Sequence, residues 1–349
     1  MSFLNNRLTF TGDYFIRNTE GMLADSYELP GVFGAKTPDE NCADLRTNGW
    51  ELYLGWNDSF ALMGKRFNYT VSATLGDNKT VFTKFNNPEK NLSNHYEGKV
   101  LGEIWGYRVD GLFASDEEAA EYTSKINQDA VNERILTDKV DPYYRAGDLK
   151  FRDLDGDNVI SKGDDTAYDA GDREIIGNET PRYMYSFRLG ADWNGFDLGI
   201  FFQGVGKRDW YPNYLSTGFW GPYSRAFTSF IPENFMDQCW SEENRDGYFP
   251  RFRGYQTFAG SQLGVNNDRY LQDASYIRLK NLTVGYTLPV LKKVFTKLRV
   301  YFTGENLWYW SPMLKHTKYI DPEAAGGNGN TGMAYNYSRN FSVGVDITF

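Results

Sequence analysis

Hydrophobic and polar positions alternate with a period of two in eight stretches of this chain. From Arg7 to Arg17, Leu8, Phe10, Tyr14 and Ile16 fall on one side of an extended backbone, and Thr9, Thr11, Asp13 and Arg17 on the other. Such a pattern predicts a strand with one apolar face. Trp50, Leu52, Leu54 and Trp56 alternate with Glu51, Tyr53, Gly55 and Asn57, and Phe67, Tyr69, Val71, Ala73 and Leu75 alternate with Asn68, Thr70, Ser72 and Thr74. The clearest hairpin surrounds Asn194-Gly195, a dipeptide suited to the positive φ angles of a tight two-residue turn. Counting outward from it pairs Trp193 with Phe196, Ala191 with Leu198, Leu189 with Ile200 and Phe187 with Phe202. Both strands then agree on their apolar side. The predicted strands lie near 7–17, 49–60, 67–75, 183–193, 196–205, 275–288, 298–308 and 337–349. In the sixth, the alternation slips between Leu279 and Leu282, which predicts a bulge.

The connections alternate in length. Asn18 to Asn48, Gly76 to Arg182, Gly206 to Ala274 and Tyr309 to Asn336 are long; Ala61 to Arg66, Asn194-Gly195 and Pro289 to Lys297 are short. Short turns at one end and long loops at the other are the layout of an all-β antiparallel transmembrane barrel. A soluble antiparallel sandwich shares the one-sided alternation; the alternating loop lengths and the aromatic strand ends count against it. No run of apolar residues approaches the roughly 18 to 20 needed for a membrane helix, so any crossing is made by strands.

Composition sharpens this picture. The chain has 349 residues, with 25 Tyr, 25 Phe, 9 Trp and 35 Gly, more aromatic residues than a soluble core requires and suited to the water–lipid boundary. The net charge of −9 argues against nucleic acid as a partner. The acidity is local: residues 76–182 contain 23 acidic against 14 basic side chains. The N-terminus, Met1 to Arg7, lacks the basic and apolar regions of a signal peptide, so either the protein is cytosolic or its true start lies upstream. Cys42 and Cys239 have no metal or redox spacing; they read as two thiols or, in an oxidising compartment, one bridge.

Within the acidic segment, Ser115 and Glu118 form a capping box that predicts a surface helix to about Asn132. The sharpest chemical motif runs from Asp153 to Asp164. Read as an EF-hand-type loop, it offers Ca²⁺ the carboxylates of Asp153, Asp155 and Asp157, the carbonyl of Val159, Ser161 through water, and Asp164. Asn158 stands where the turn glycine belongs, although Asn tolerates the left-handed region, and Asp164 replaces the usual Glu. The alternative is a solvated acidic turn. Asp172-Arg173 reads as a local ion pair. Catalysis finds no support: His95 and His316 sit in different loops, and no carboxylate pair is singled out. Gly326 to Asn330 reads as a loop tip. The loop from Gly206 to Ala274 carries Trp210, Tyr211, Tyr214, Phe219, Trp220, Tyr223 and Trp240; these can stack on sugars or peptides, but the simpler expectation is that most of them pack the loop itself.

Several stretches together resemble the C-terminal barrel of SusC/RagA-type TonB-dependent transporters of Bacteroidetes: Asn6-Arg7-Leu8-Thr9, Asn48 to Leu52, Gly106-Tyr107 with Asp110 to Phe113, Ala146 to Phe151, and Asp172-Arg173 through Pro181. Further matches are Gly195 to Leu198, Phe202 to Gly204, Ser275 to Leu282, Glu305 to Leu307, Asp321 to Glu323, and the alternating final strand ending in Phe349. The resemblance implies a multi-pass barrel in the outer membrane of a Gram-negative cell, in contact with its lipid. It also implies active import of glycans or peptides, a SusD-like lipoprotein as lid, and drive from a TonB complex. The family's signal peptide, TonB box, plug domain and earlier strands have no counterpart in residues 1–349. A plugged transporter barrel has about 22 strands whereas about eight are filled by their own side chains, so these eight read as an arc. The alternative is a complete small barrel with an adhesion or structural role.

Overall fold

In the computed structural model, which describes residues 2–25, 39–225, 227, 229, 231–289, 296–326, 331–332 and 334–349, eight strands follow one another as an antiparallel meander. They are β1 Leu8–Asp25, β2 Asp39–Leu62, β3 Lys65–Lys84, β4 Arg182–Trp193, β5 Phe196–Lys207, β6 Tyr276–Leu288, β7 Lys297–Trp310 and β8 Asn340–Thr348. A short strand, Ser2–Phe3, adds to the free side of β1. It and β8 stand at opposite ends of the strand order, so the sheet is an open arc. A closed eight-stranded barrel is not what these strands form.

The expected register holds across the central hairpin: Trp193 faces Phe196, Ala191 faces Leu198, Leu189 faces Ile200 and Phe187 faces Phe202. Asn194 and Gly195 take φ of 48° and 90°, the left-handed pair a two-residue hairpin requires. Following the pairing sideways carries one apolar face across the whole sheet, for example Phe10, Leu54, Ala73, Phe187, Phe202 and Leu279. The opposite face is polar and internally bonded: Asn68 donates to Asp192 at 2.7 Å, and Arg299 bridges Asp197 at 2.7 Å and Asp346 at 3.0 Å.

The bulge falls where the alternation slips. Lys280 drops out of the pairing on both sides, between Leu279 and Asn281, and Asn306 on the partner strand turns to φ 52°. The first three strands run well beyond their apolar stretches, to Asp25, from Asp39 and to Lys84. Past the apolar band, ladder hydrogen bonds alone continue the strand, so hydrophobic alternation marks the width of the greasy band and not the strand ends.

The long connections pack into a second body. Its core joins Tyr107, Leu149, Phe151 and Ile160 of the connection between β3 and β4 to Trp210, Phe219, Trp220, Tyr223, Phe249 and Tyr270 of that between β5 and β6, and to Met313 and Ile320 of that between β7 and β8. Phe249 is the hub, with ring centroids 5.0 Å from Phe235, 5.5 Å from Phe219 and 5.9 Å from Tyr270. Most loop aromatics therefore serve packing, with Tyr214 left 42% exposed. The helix after Ser115 covers only Asp116–Thr123. Its cap is as expected, Glu118 N–H donating to Ser115 Oγ at 3.2 Å, but the Thr123 and Ser124 hydroxyls bond carbonyls of the last turn. Asn127 then leaves to bridge Val159, and that tertiary pairing ends the helix before Asn132. The two cysteine sulfurs do not join: each lies 3.6 Å from a carbonyl oxygen, Ala24 for Cys42 and Phe235 for Cys239. The tip at Gly327 to Asn330 lies outside the described residues.

Candidate functional site

The acidic loop is built from its own backbone outward. Asp153 accepts the N–H groups of Gly156 at 2.7 Å and Asn158 at 2.9 Å, Asp155 that of Asp157 at 3.1 Å, and Asp157 that of Val159 at 2.7 Å. These side-chain turns wind the loop tightly. Gly156 and Asn158 supply its positive φ angles, 80° and 67°, so Asn158 does what a turn glycine would. Ile160 is fully buried and its N–H bonds the Asn127 carbonyl at 2.7 Å, which pins the loop to the aromatic core.

Three carboxylates converge: Asp153, Asp155 and Asp172 each bring an oxygen within 4.8 Å of the others. Of the expected ligands, this group holds Asp153 and Asp155. Asp157 and Asp164 are not in it, and Asp164 lies exposed. Ser161 turns its hydroxyl to the Gly163 N–H at 3.1 Å, and Val159 lies exposed beside the bridge to Asn127. Asp172, just before the Arg173–Asn178 strand, is the third carboxylate of the group. It is fully buried and accepts Leu154 N–H at 2.6 Å and Ser161 N–H at 2.8 Å. Burial pushes its carboxyl above the ordinary carboxylate range; the two N–H bonds pull it back, and Asp155 and Asp153 push it further up. The expected Asp172-Arg173 ion pair does not form: Arg173 bonds Asp165 at 2.7 Å. In sequence, Asp172 was hidden by its distance from the motif.

Two charge clusters tie the loops together. Asp148, fully buried, bonds Arg253 at 3.0 and 3.2 Å and the Arg145 N–H at 2.9 Å. Beside it, the Gln262 side-chain oxygen accepts the Leu149 N–H at 2.9 Å. The second cluster sits at the start of β6, beside the bulge, where Arg278 and Lys280 meet the connection between β7 and β8. Arg278 pairs with Asp321, both 1% exposed, and lies 4.6 Å from the Tyr309 ring centre; Lys280 reaches Glu323 at 2.8 Å. Asp148, Arg278, Lys280, Asp321 and Glu323 all belong to the stretches that carry the family resemblance.

Between the loops lies a cleft of about 590 Å³. Trp105, Tyr211 and Tyr214 give it aromatic walls, and Lys99, Glu103 and Arg173 give it charge. Burial pushes the Lys99 ammonium down, with Glu103 opposing. Glu103 itself accepts the Trp105 indole N–H at 3.0 Å and the Val100 N–H at 3.2 Å. Both histidines stack on aromatic rings: His95 lies 4.3 Å from the Phe82 ring centre and His316 3.5 Å from that of Tyr248.

No protein-family model matches the chain. It is 27% identical to TonB-dependent receptor P3 of Formosa agariphila over 378 aligned positions, covering 100% of this chain and 33% of that protein. TonB-dependent receptor P26 of the same organism is 25% identical, again over 100% of this chain and 33% of the relative. TonB-dependent receptor SusC of Bacteroides thetaiotaomicron is 21% identical over 99% of the chain and 31% of its own length. Among solved structures, the RagAB peptide transporter superposes with a TM-score of 0.65 at 23% identity, covering 99% of this chain and 34% of that one. The RagAB peptide importer in its closed-closed state gives 0.66 at 22% identity, over 100% and 34%. The chain thus spans about a third of the length of the relatives it matches.

Proposed function

Because the chain is a homologue of the SusC/RagA-type TonB-dependent receptors, we propose that it forms the C-terminal arc of an outer-membrane transport barrel. Its short turns then face the periplasm and its packed loops the outside. One observation carries this reading: the apolar face continues through all eight strands while the other face is polar and ion-paired. A lipid-facing wall around a wet lumen requires this arrangement. The rest of the receptor supplies the plug, the TonB box and the export signal.

The function is TonB-driven import of glycans or peptides, with a SusD-like lipoprotein closing over the loops. SusC and RagAB among the relatives support it, RagAB being described as a peptide transporter. The aromatic cleft beside Trp105 and Tyr214 is the part of this chain we assign to cargo contact. Catalysis has no part in this function, and the named relatives are receptors and transporters. Asp153, Asp155 and Asp172 have the hard oxygen donors that suit Ca²⁺, and we assign them a structural ion that would neutralise their mutual repulsion and stiffen the loop. The test is to express the full-length receptor, fractionate the envelope, and follow uptake of labelled oligosaccharides and peptides with and without TonB. A receptor outside the outer membrane, or uptake that ignores TonB, overturns the reading.

A further inference from the structure

Near the short-turn end of the apolar face, one rung of the sheet runs Tyr69, Ala191, Leu198, Val284 across β3 to β6. Ala191 is the smallest side chain on it. The next rung toward the turns carries Trp193 between Phe67 and Phe196, and the rung above carries Leu189 between Val71 and Ile200. Two hydrogen bonds draw the large neighbours toward β2 and away from Ala191. The Tyr69 hydroxyl accepts the Trp56 indole N–H at 3.1 Å, and the Trp193 indole N–H donates to the Leu62 carbonyl at 3.2 Å. On one side Phe60 and Phe67 pack with centroids 5.0 Å apart, and on the other Phe196 and Tyr286 pack at 4.5 Å. Between them a pit of about 610 Å³ is left open.

The pit differs from the surrounding wall in shape and chemistry. Its lining is almost wholly carbon, so a polar ligand would lose hydrogen bonds on entering it. A flat wall touches a lipid tail along one side, whereas rings on both flanks contact a tail along much of its surface, which multiplies dispersion contacts. Lys65 stands on the same face, two residues before Phe67 and at the edge of the sheet turn, and it is exposed. An ammonium carried one rung beyond Phe67, which lines the pit, complements a ligand with one anionic end and one hydrocarbon tail. We propose that the pit is a binding site for a diacyl phospholipid of the periplasmic leaflet, one acyl chain lying over Ala191 and the phosphate meeting Lys65. The inference rests on the outer-membrane orientation given above.

The test uses the full-length receptor extracted from outer membranes in mild detergent, with retained phospholipid counted by native mass spectrometry. Ala191→Trp fills the pit; Val343→Trp places the same indole on the apolar face at β8, where Val343 is 77% exposed and stands two strands beyond Val284 at the pit's edge. Retention by Ala191→Trp should fall about tenfold, Val343→Trp should match the wild type, and Lys65→Glu should also weaken retention. Ala191→Leu replaces the tryptophan variant if that barrel does not reach the heat-modifiable folded form. Equal retention by wild type and the pit-filled variant, or an equal loss in Val343→Trp, overturns the proposal. A wild-type receptor missing from the outer membrane defeats the orientation reading instead, so the two failures are separate.

Discussion

Removing the Asp148 carboxylate should uncouple the loop body from itself while leaving the strands intact. Asp148 is fully buried and holds Arg253, whose side chain is 7% exposed, through two bonds of 3.0 and 3.2 Å. Breaking a buried pair by deleting one partner costs roughly 3 to 5 kcal/mol. Arg253 keeps the carbonyls of Asp141 and Tyr143, both at 3.0 Å, which favours the lower end of that range. Against this, the Arg145 N–H loses its acceptor, worth about 1 kcal/mol. Together these give about 4 kcal/mol for Asp148→Ala, or a fall of about a thousandfold in protection. Hydrogen exchange on the full-length receptor reads this directly at Leu149 to Phe151, which pair with Val109 to Leu112. Amides in β4 and β5 should exchange as before. Unchanged protection at Leu149 to Phe151, or an equal loss in β4 and β5, would refute the assignment of Asp148 as the tie.

Three further outcomes follow from the same geometry. Arg278→Met should loosen residues 311–326 toward limited proteolysis, since Asp321 would stay buried without its partner at a cost of about 3 kcal/mol; the double variant Arg278→Met/Asp321→Leu should recover much of the loss, because Glu323, the other carboxylate on Arg278 at 3.1 Å, keeps Lys280 at 2.8 Å. Burial against Tyr248, with Lys315 and Arg269 nearby, lowers the His316 imidazole from 6.5 to about 4. The folded form therefore binds fewer protons than the unfolded one between these values, so the contribution of His316 is complete above pH 6.5 and is lost as pH falls toward 4. The exchange of amides near Met313 should rise over that window, and His316→Phe should flatten the rise. For the acidic loop, calcium titration calorimetry of the folded receptor should lose its heat in Asp172→Asn and keep it in Asp164→Asn; the reverse order would restore the linear EF-hand reading.

The strand faces, the central register and the bulge at Lys280 were legible in the sequence because they depend on neighbours. Side chains alternate along any extended backbone, Asn194-Gly195 admits one tight turn, and a slip in alternation has one local remedy. The same locality made Asn158 readable as a left-handed residue. What the sequence left open depends on where distant segments come to lie. Asp172 closes the carboxylate group because a bridge from Asn127 to Val159 and the Ser161 N–H fold the chain back on itself, so spacing pointed to Asp164 instead. The ends of β1, β2 and β3 extend past their apolar stretches because ladder bonds form wherever a partner strand continues, with no hydrophobic signal needed. The pairing of Arg278 with Asp321 and of Asp148 with Arg253 joins residues 43 and 105 positions apart, and the short helix after Ser115 ends where a tertiary bridge outcompetes its propensity. Apart from the strand ends, the deciding interaction is a buried charge or backbone bond whose partner is chosen by the packing of three long connections, and only the folded molecule holds that information.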